Sequence, residues 1–326
     1  MRAVWYDRQG PADEVLRVGD LPAPDPGAGE VRVRVTLSGV NPGDTKKRRG
    51  WLGSSMPYPR VIPHSDGSGI VESVGPGVHP GRVGRRVWVY GAQSYRPFGT
   101  AAQFTVVPTG QAVDLPDEVS DEMGACLGIP GITAHRTVFA DGPVAGQTVL
   151  VHGVLGGVGA LAAQLAHWGG ATVIGTVRRA ADLDKVDRTV VSGAVALDHP
   201  DPAGAIRDTA DGGVDRIIEV AFSDNVDLDA AIAKNDTIIA AYATREDRPD
   251  FPFWPMLYNN VTIRLLGSDD FPVAAKQQAA ADLITAVMGD ALSIPVGKPF
   301  ALADAAGAHA RVDAGARERV LLTIPD

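Results

Sequence analysis

Apolar and polar positions change rhythm once along the chain. In the first third they alternate. Val31, Val33 and Val35 interleave with Arg32, Arg34 and Thr36, the period-two pattern of a half-buried strand. Gly and Pro recur at short intervals around them (Pro22, Pro24, Pro26, Gly27, Gly29, Pro42, Gly43, Pro57, Pro59, Pro63), which predicts short strands in a barrel-like β unit. Gly69 to Gly77 reads as a strand and a turn. From about Ser120, apolar strands alternate with helical stretches instead. Strands are predicted at Thr148–His152, Thr172–Thr176, Ala194–Leu197, Arg216–Val220, Thr237–Ala241 and Thr262–Leu266. Such a series fits a doubly wound parallel sheet with a binding crevice at its central switch point. Helices are predicted near Ala274–Met288 and Asp304–Val312. A closing apolar strand, Val320–Ile324, is assigned to neither unit by pattern alone.

One segment of the second style carries the most chemistry. Between Asp141 and Arg178 there is no Asp, Glu, Lys or Arg. The order is a strand (Thr148 to Val151), a turn with Gly153, Gly156, Gly157, Val158 and Gly159, and a helix of small residues through Ala160, Ala163 and Ala166. A second strand ends at Thr176 and runs into Arg178 and Arg179. In this context each glycine has a task. Gly153 permits the tight turn, Gly156 lets the backbone approach a phosphate, and Gly159 lets the helix pack on the sheet. A dinucleotide site is therefore expected. A membrane span is not, because glycines, His152, Gln164 and His167 interrupt the run and no positive flank precedes it.

The residues after the second strand speak to which dinucleotide. NAD-preferring units place an Asp or Glu there to hold the ribose 2′-hydroxyl. Here Arg178 and Arg179 occupy the position, and guanidinium groups pair with a 2′-phosphate that a carboxylate would repel. NADPH is the expected cofactor, unless Asp182 and Asp184 pair with these arginines.

Composition narrows the remaining classes. A length of 326 residues suits about two domains. The net charge of −9 argues against a general nucleic-acid binder, which needs a basic face. The single cysteine, Cys126, builds neither an internal disulfide nor a multi-cysteine metal site. The N-terminus shows no apolar leader, so a cytoplasmic location is expected. No nucleophile elbow supports a hydrolase.

Four motifs in order resemble a family. They are Gly39-Val40-Asn41-Pro42-Gly43-Asp44, His64-Ser65-Asp66-Gly67-Ser68-Gly69, Gly128-Ile129-Pro130-Gly131-Ile132-Thr133-Ala134, and Val151-His152-Gly153-Val154-Leu155-Gly156-Gly157-Val158-Gly159. Over nearly its whole length the chain is similar to the zinc-independent quinone oxidoreductases, the zeta-crystallin-like branch of the medium-chain dehydrogenase/reductase superfamily. The resemblance implies an α/β chain with a GroES-like β-barrel catalytic domain (1–123 and 268–326) and an inserted Rossmann doubly wound parallel-sheet domain (124–267). It also implies NADPH and a homodimer.

The same resemblance carries site residues. Zinc-dependent relatives use Cys at the position of Asn41, His at that of Ser65, and Cys near Ile129, so no metal site is expected. His64, one residue from that register, lacks ligand partners. Thr133, His199, Tyr242 and Arg319 match cofactor contacts, and Asn41 is expected to bond the cofactor or the acceptor carbonyl. Where the family often has Tyr, five residues after that Asn, this chain has Lys46. It either stabilises a developing anion or joins a solvated run, Lys46-Lys47-Arg48-Arg49. Tyr90 or Tyr95 is expected to wall the acceptor pocket or supply a proton. The aromatic cluster Phe251, Phe253, Trp254 and Tyr258 reads as a lid or dimer contact.

The expected function is NADPH-dependent hydride transfer to a quinone or conjugated enone, a small-molecule acceptor, without metal. A pathway-specific enoyl-type C=C reductase shares nearly the same chemistry and differs in its pocket. A non-catalytic NADPH-binding structural or RNA-associating protein is the alternative of another class, and the acidic balance weighs against it.

Overall fold

A computed structural model describes residues 1–326 apart from the side chain of Leu52. It divides into one unit formed by Met1–Pro130 with Ile294–Asp326 and a second formed by Gly131–Ser293.

The second unit is built on six parallel strands. In spatial order they are Gly193–Ala196, Thr172–Val177, Thr148–Val151, Val214–Glu219, Ala233–Ala241 and Thr262–Leu265. All six lie where the periodicity places them. The order reverses between Thr148–Val151 and Val214–Glu219, which makes the switch point of a doubly wound sheet. The central strands are covered on both faces, which accounts for the charge-free run. Val149, Leu150, Val151, Val173 and Ile174 are all buried. The helix Gly157–Trp168 lays Leu161, Ala162, Leu165 and Ala166 against them. Its small residues let the helix approach the sheet closely.

In the first unit, Glu30–Val40 is the central strand. It pairs antiparallel with Asp66–Val74, with Phe104–Pro108 and with the closing strand Val320–Thr323. The seven-stranded sheet continues through Arg86–Val89 to Ala112–Asp114 on one side and Phe300–Ala301 on the other. Val31, Val33 and Val35 are buried while Arg32 and Arg34 stay partly exposed, as the alternation requires. The closing strand belongs to this unit because its backbone pairs with residues 37 to 40.

The unit boundaries fall later than 123/124 and 267/268. The helix Val273–Met288, expected with the barrel, belongs to the parallel-sheet unit. Leu283 packs where Gly131 has no side chain, and His135 Nε2 bonds Asp282 Oδ2 at 2.8 Å. These contacts tie the helix to the stretch Gly131–Phe139. Among the described residues, no helix is long and apolar enough to cross a membrane.

Candidate active site

On the parallel-sheet unit, the glycine turn sits at the carboxyl end of Thr148–Val151. Gly153 has φ +64°, a conformation that favours glycine. Its carbonyl accepts from Gly156 N at 2.8 Å. A Cβ on Gly159 would stand 2.4 Å from that same carbonyl oxygen, so the helix seats directly on the turn. Gly156 caps the helix without a side-chain hydrogen bond, leaving the first backbone N–H groups of Gly157–Trp168 uncapped by a side chain. That is the donor set an anionic ligand requires.

Behind the turn lies a buried polar cluster that the sequence reading does not anticipate. His152 Nδ1 bonds Thr176 Oγ1 (2.9 Å) and His152 Nε2 bonds Asp229 Oδ1 (2.9 Å). Gly153 N donates to Thr176 Oγ1 at 3.3 Å, so Thr176 supports the turn from below. Glu219 Oε2 stands 3.6 Å from His152 Nε2, and Asn225 donates to both Glu219 oxygens at 3.1 Å. Burial lowers the His152 pKa, but the hydrogen bond and charge of Asp229, with the charge of Glu219, outweigh it and raise the value. Burial raises the Glu219 pKa, with Asp229 adding to the rise against His152. The ligand atoms of His152, Glu219 and Asp229 lie within 4.8 Å of one another.

Thr176 is thus a support rather than a surface group. Arg178 and Arg179 follow it, exposed, and among the described residues neither forms an ion pair. Asp182 pairs with Lys185 at 2.7 Å. His199, also exposed, follows the strand Gly193–Ala196, and its Nδ1 accepts from Asp201 N at 3.1 Å. Tyr242 follows Ala233–Ala241; its N donates to the Glu219 carbonyl, and burial raises its phenol pKa, with Glu219 adding to the rise. Thr133 is buried on the helix Ile129–Phe139. Gly157, Val158 and Gly159 form the first turn of Gly157–Trp168.

On the barrel unit the centre is Asn41. It is buried and precedes the helix Pro42–Arg49. Its Nδ2 donates to Asp66 Oδ2 at 2.6 Å, and its Oδ1 accepts from Arg319 Nη2 at 2.9 Å. Asp66 Oδ1 accepts from Ile129 N at 2.9 Å, and a Cβ on Gly128 would collide with that oxygen at 2.0 Å. Asp44 Oδ2 takes the Asn41 N–H at 2.8 Å. Burial, with the charge of Asp66 adding, raises the Asp44 pKa to about 7 against the Asn41 hydrogen bond. Asp44 and Asp66 were missed from sequence. The Asn41-to-Asp44 spacing of a capping box was the available signal.

Arg319 therefore turns its guanidinium to the Asn41 amide within this unit. Two other expectations need correction. Tyr90 is a core residue: it is 4% exposed, packs on Trp88, and donates its hydroxyl to the Gly110 carbonyl at 3.1 Å. Nor is Lys46-Lys47-Arg48-Arg49 a uniformly solvated run. Arg48 shares the buried helix face with Asp44 and Thr45, while Lys46 is half-buried with its Nζ 4.4 Å from the Trp51 ring centroid. Burial lowers the Lys46 pKa, with Arg49 adding. Tyr95 is 70% exposed.

The chain is similar to known proteins over most of its length. The alcohol dehydrogenase GroES-like domain family matches residues 27–117. The quinone oxidoreductase of Rattus norvegicus is 36% identical over 238 residues, covering 70% of this chain and 69% of that protein. A mycobacterial protein solved in complex with NADPH is 28% identical, with a TM-score of 0.84 over 99% of each chain. An NAD-dependent alcohol dehydrogenase is 27% identical, with a TM-score of 0.86 over 100% of each chain.

Proposed function

We propose that this chain, which belongs to the zeta-crystallin-like quinone oxidoreductase family of the medium-chain dehydrogenase/reductase superfamily, is an NADPH-dependent reductase of quinones or conjugated enones that works without a metal ion. The cofactor reading is carried by a helix N-terminus without a side-chain cap at the switch point, followed one strand later by two exposed arginines that form no ion pair among the described residues. The residues fit the group. In this reading the Gly153–Gly159 turn cradles the pyrophosphate, the backbone N–H groups of Gly157, Val158 and Gly159 at the helix start donate to it, and Arg178 and Arg179 take the 2′-phosphate. His199, Tyr242 and Thr133 border the remaining surface. NADPH supplies the hydride when bound.

The metal-free reading rests on Asn41. A cation at Asn41 Oδ1 would compete with the Arg319 guanidinium already there, and Ser65 and Ile129 supply no ligand of the Cys/His type. Asp66 and Arg319 fix both ends of the Asn41 amide, so the group is held in one orientation. In this reading Asn41 orients the acceptor or nicotinamide, and Lys46 offsets negative charge on the reduced acceptor. A homodimer is assigned to the sheet edge, where Thr262–Leu265 has one strand neighbour and Leu265 is 76% exposed. Nearby in sequence, the exposed ring of Trp254 meets Phe253 edge-on and stacks on Tyr258.

A screen of NADPH oxidation against benzoquinones, alkenals and enoyl thioesters tests the assignment. Turnover fastest on quinones or simple enones supports it. Preference for thioesters would convert it to an enoyl-type reductase, and stoichiometric NADPH binding without turnover on any acceptor would refute it.

A further inference from the structure

The barrel unit contains a line of buried hydrogen bonds that the roles above do not use. Arg48 Nε donates to His309 Nδ1 at 3.3 Å. His309 Nε2 faces His64 Nε2 at 3.0 Å, and His64 Nδ1 faces Ser38 Oγ at 2.8 Å. Ser38 Oγ then meets Thr100 Oγ1 at 2.7 Å, and Thr100 donates to the backbone carbonyl of Asp66 at 2.6 Å. None of the five side-chain-bearing residues is more than 1% exposed.

The two ends dictate the direction of every link. A guanidinium only donates and a carbonyl only accepts. His309 Nδ1 must accept from Arg48, so its proton sits on Nε2 and is given to His64 Nε2. His64 then carries its proton on Nδ1 and gives it to Ser38. The Ser38 hydroxyl passes to Thr100, whose own hydroxyl is committed to Asp66. A second proton on either imidazole would set two N–H groups against each other or against Arg48. Burial holds both histidines neutral: it lowers the His64 pKa well below the usual value, helped by His309, and lowers His309 to about 3, helped by Arg48.

The line connects the elements that hold Asn41. Arg48 is in the last turn of the helix that Asn41 opens, and Nη2 of the same guanidinium grips Asp313 at 2.9 Å. Ser38 lies three residues before Asn41 on the strand Glu30–Val40. Asp66 holds the Asn41 amide through its carboxylate. His64 takes φ +76°, a strained backbone for a residue with a side chain, directly before Ser65 and Asp66. The hydrogen bonds to both ring nitrogens keep that turn in place.

We propose that Arg48, His309, His64, Ser38 and Thr100 form a one-directional positioning relay that sets the Asp66 carboxylate and, through it, the orientation of the Asn41 amide. The proposal rests on the reductase reading for its effect on turnover, but not for its proton pattern. Histidine nitrogen NMR on the whole protein at neutral pH should find His309 protonated on Nε2 and His64 on Nδ1. The opposite tautomers, or an imidazolium at either position, would overturn the relay. Thr100→Val keeps the shape and removes the hydroxyl. It should lower kcat about tenfold or more, the scale of a small misplacement of a reacting group. NADPH binding, whose phosphate contacts are assigned to the other unit, should stay within about twofold, and Thr100→Ser should restore kcat to within about twofold. Wild-type kcat in Thr100→Val, or equal loss in both variants, contradicts the positioning role. A wild-type protein that oxidises no NADPH refutes the reductase reading instead, and the tautomers still decide the relay.

Discussion

Gly159→Ala isolates the role of the glycine turn. The added methyl would stand 2.4 Å from the Gly153 carbonyl oxygen, 3.0 Å from its carbon and 3.3 Å from the His152 oxygen. Real Cβ contacts essentially never fall under 3.0 Å, and all three neighbours are backbone, so no side chain can swing away. Either the helix Gly157–Trp168 lifts from the sheet or the turn moves. The helix is anchored by buried Leu161 and Leu165, and the turn by the Thr176 and Gly156 hydrogen bonds. Overpacking of this kind costs about 1–3 kcal/mol. If the turn yields, that strain falls on the donors proposed for the pyrophosphate and weakens NADPH binding by about 5- to 150-fold, at about 1.4 kcal/mol per decade. Fluorescence titration with NADPH measures the binding and urea unfolding measures the stability. Gly156→Ala is the companion, because its Cβ would stand 3.2 Å from the Gly153 carbonyl oxygen, a tight contact that needs a shift of only a few tenths of an ångström. It should bind NADPH poorly while unfolding near the wild-type midpoint, since its methyl would face the ligand. If Gly159→Ala binds NADPH within twofold of wild type and unfolds at the same urea concentration, the close-packing argument for the turn is wrong.

Arg178→Ala should weaken NADPH binding far more than NADH binding, and equal loss for both would sink the 2′-phosphate assignment. For His309 the unfolded chain binds a proton near pH 6.5 while the folded protein resists it until about pH 3, so stability from this group falls as pH drops through 6.5. Asp44, with its folded pKa raised to about 7, contributes the opposite slope, so the variant difference is the quantity to follow. The stability advantage of wild type over His309→Gln should shrink by about 1.4 kcal/mol between pH 7.5 and pH 5.5 in urea titrations, and a difference independent of pH would contradict a neutral buried ring. Tyr90→Phe removes a hydroxyl committed to Gly110. It should cost about 0.5–1.5 kcal/mol in stability and leave turnover within twofold, whereas a large fall in kcat would restore the phenol as a proton donor.

What the sequence made legible followed the periodic signals. Six strands and the glycine turn were readable because buried parallel strands exclude charge over whole segments, as from Gly142 to Val177. The closing strand Val320–Thr323 was ambiguous, because its assignment depends on pairing with residues about 280 positions earlier. Helix periodicity alone could have put Arg48 on the buried face with Asp44 and Thr45, but four consecutive basic residues looked like a solvated run. Nothing local announced the His64–His309 contact, whose partners are 245 residues apart. Tyr90 failed for a related reason: a tyrosine beside a polar loop looks available until its hydroxyl finds a carbonyl. Asn41 was legible as a position, while the Asp66 and Arg319 that hold it emerged only from the fold.

The measurement that bears most directly on the central claim is NADPH-driven reduction of a simple quinone by protein stripped of metal with a strong chelator. The account predicts turnover unchanged by chelation or by added zinc, and faster with NADPH than with NADH. Activity that disappears on chelation and returns with stoichiometric zinc, or a clear preference for NADH, would contradict it.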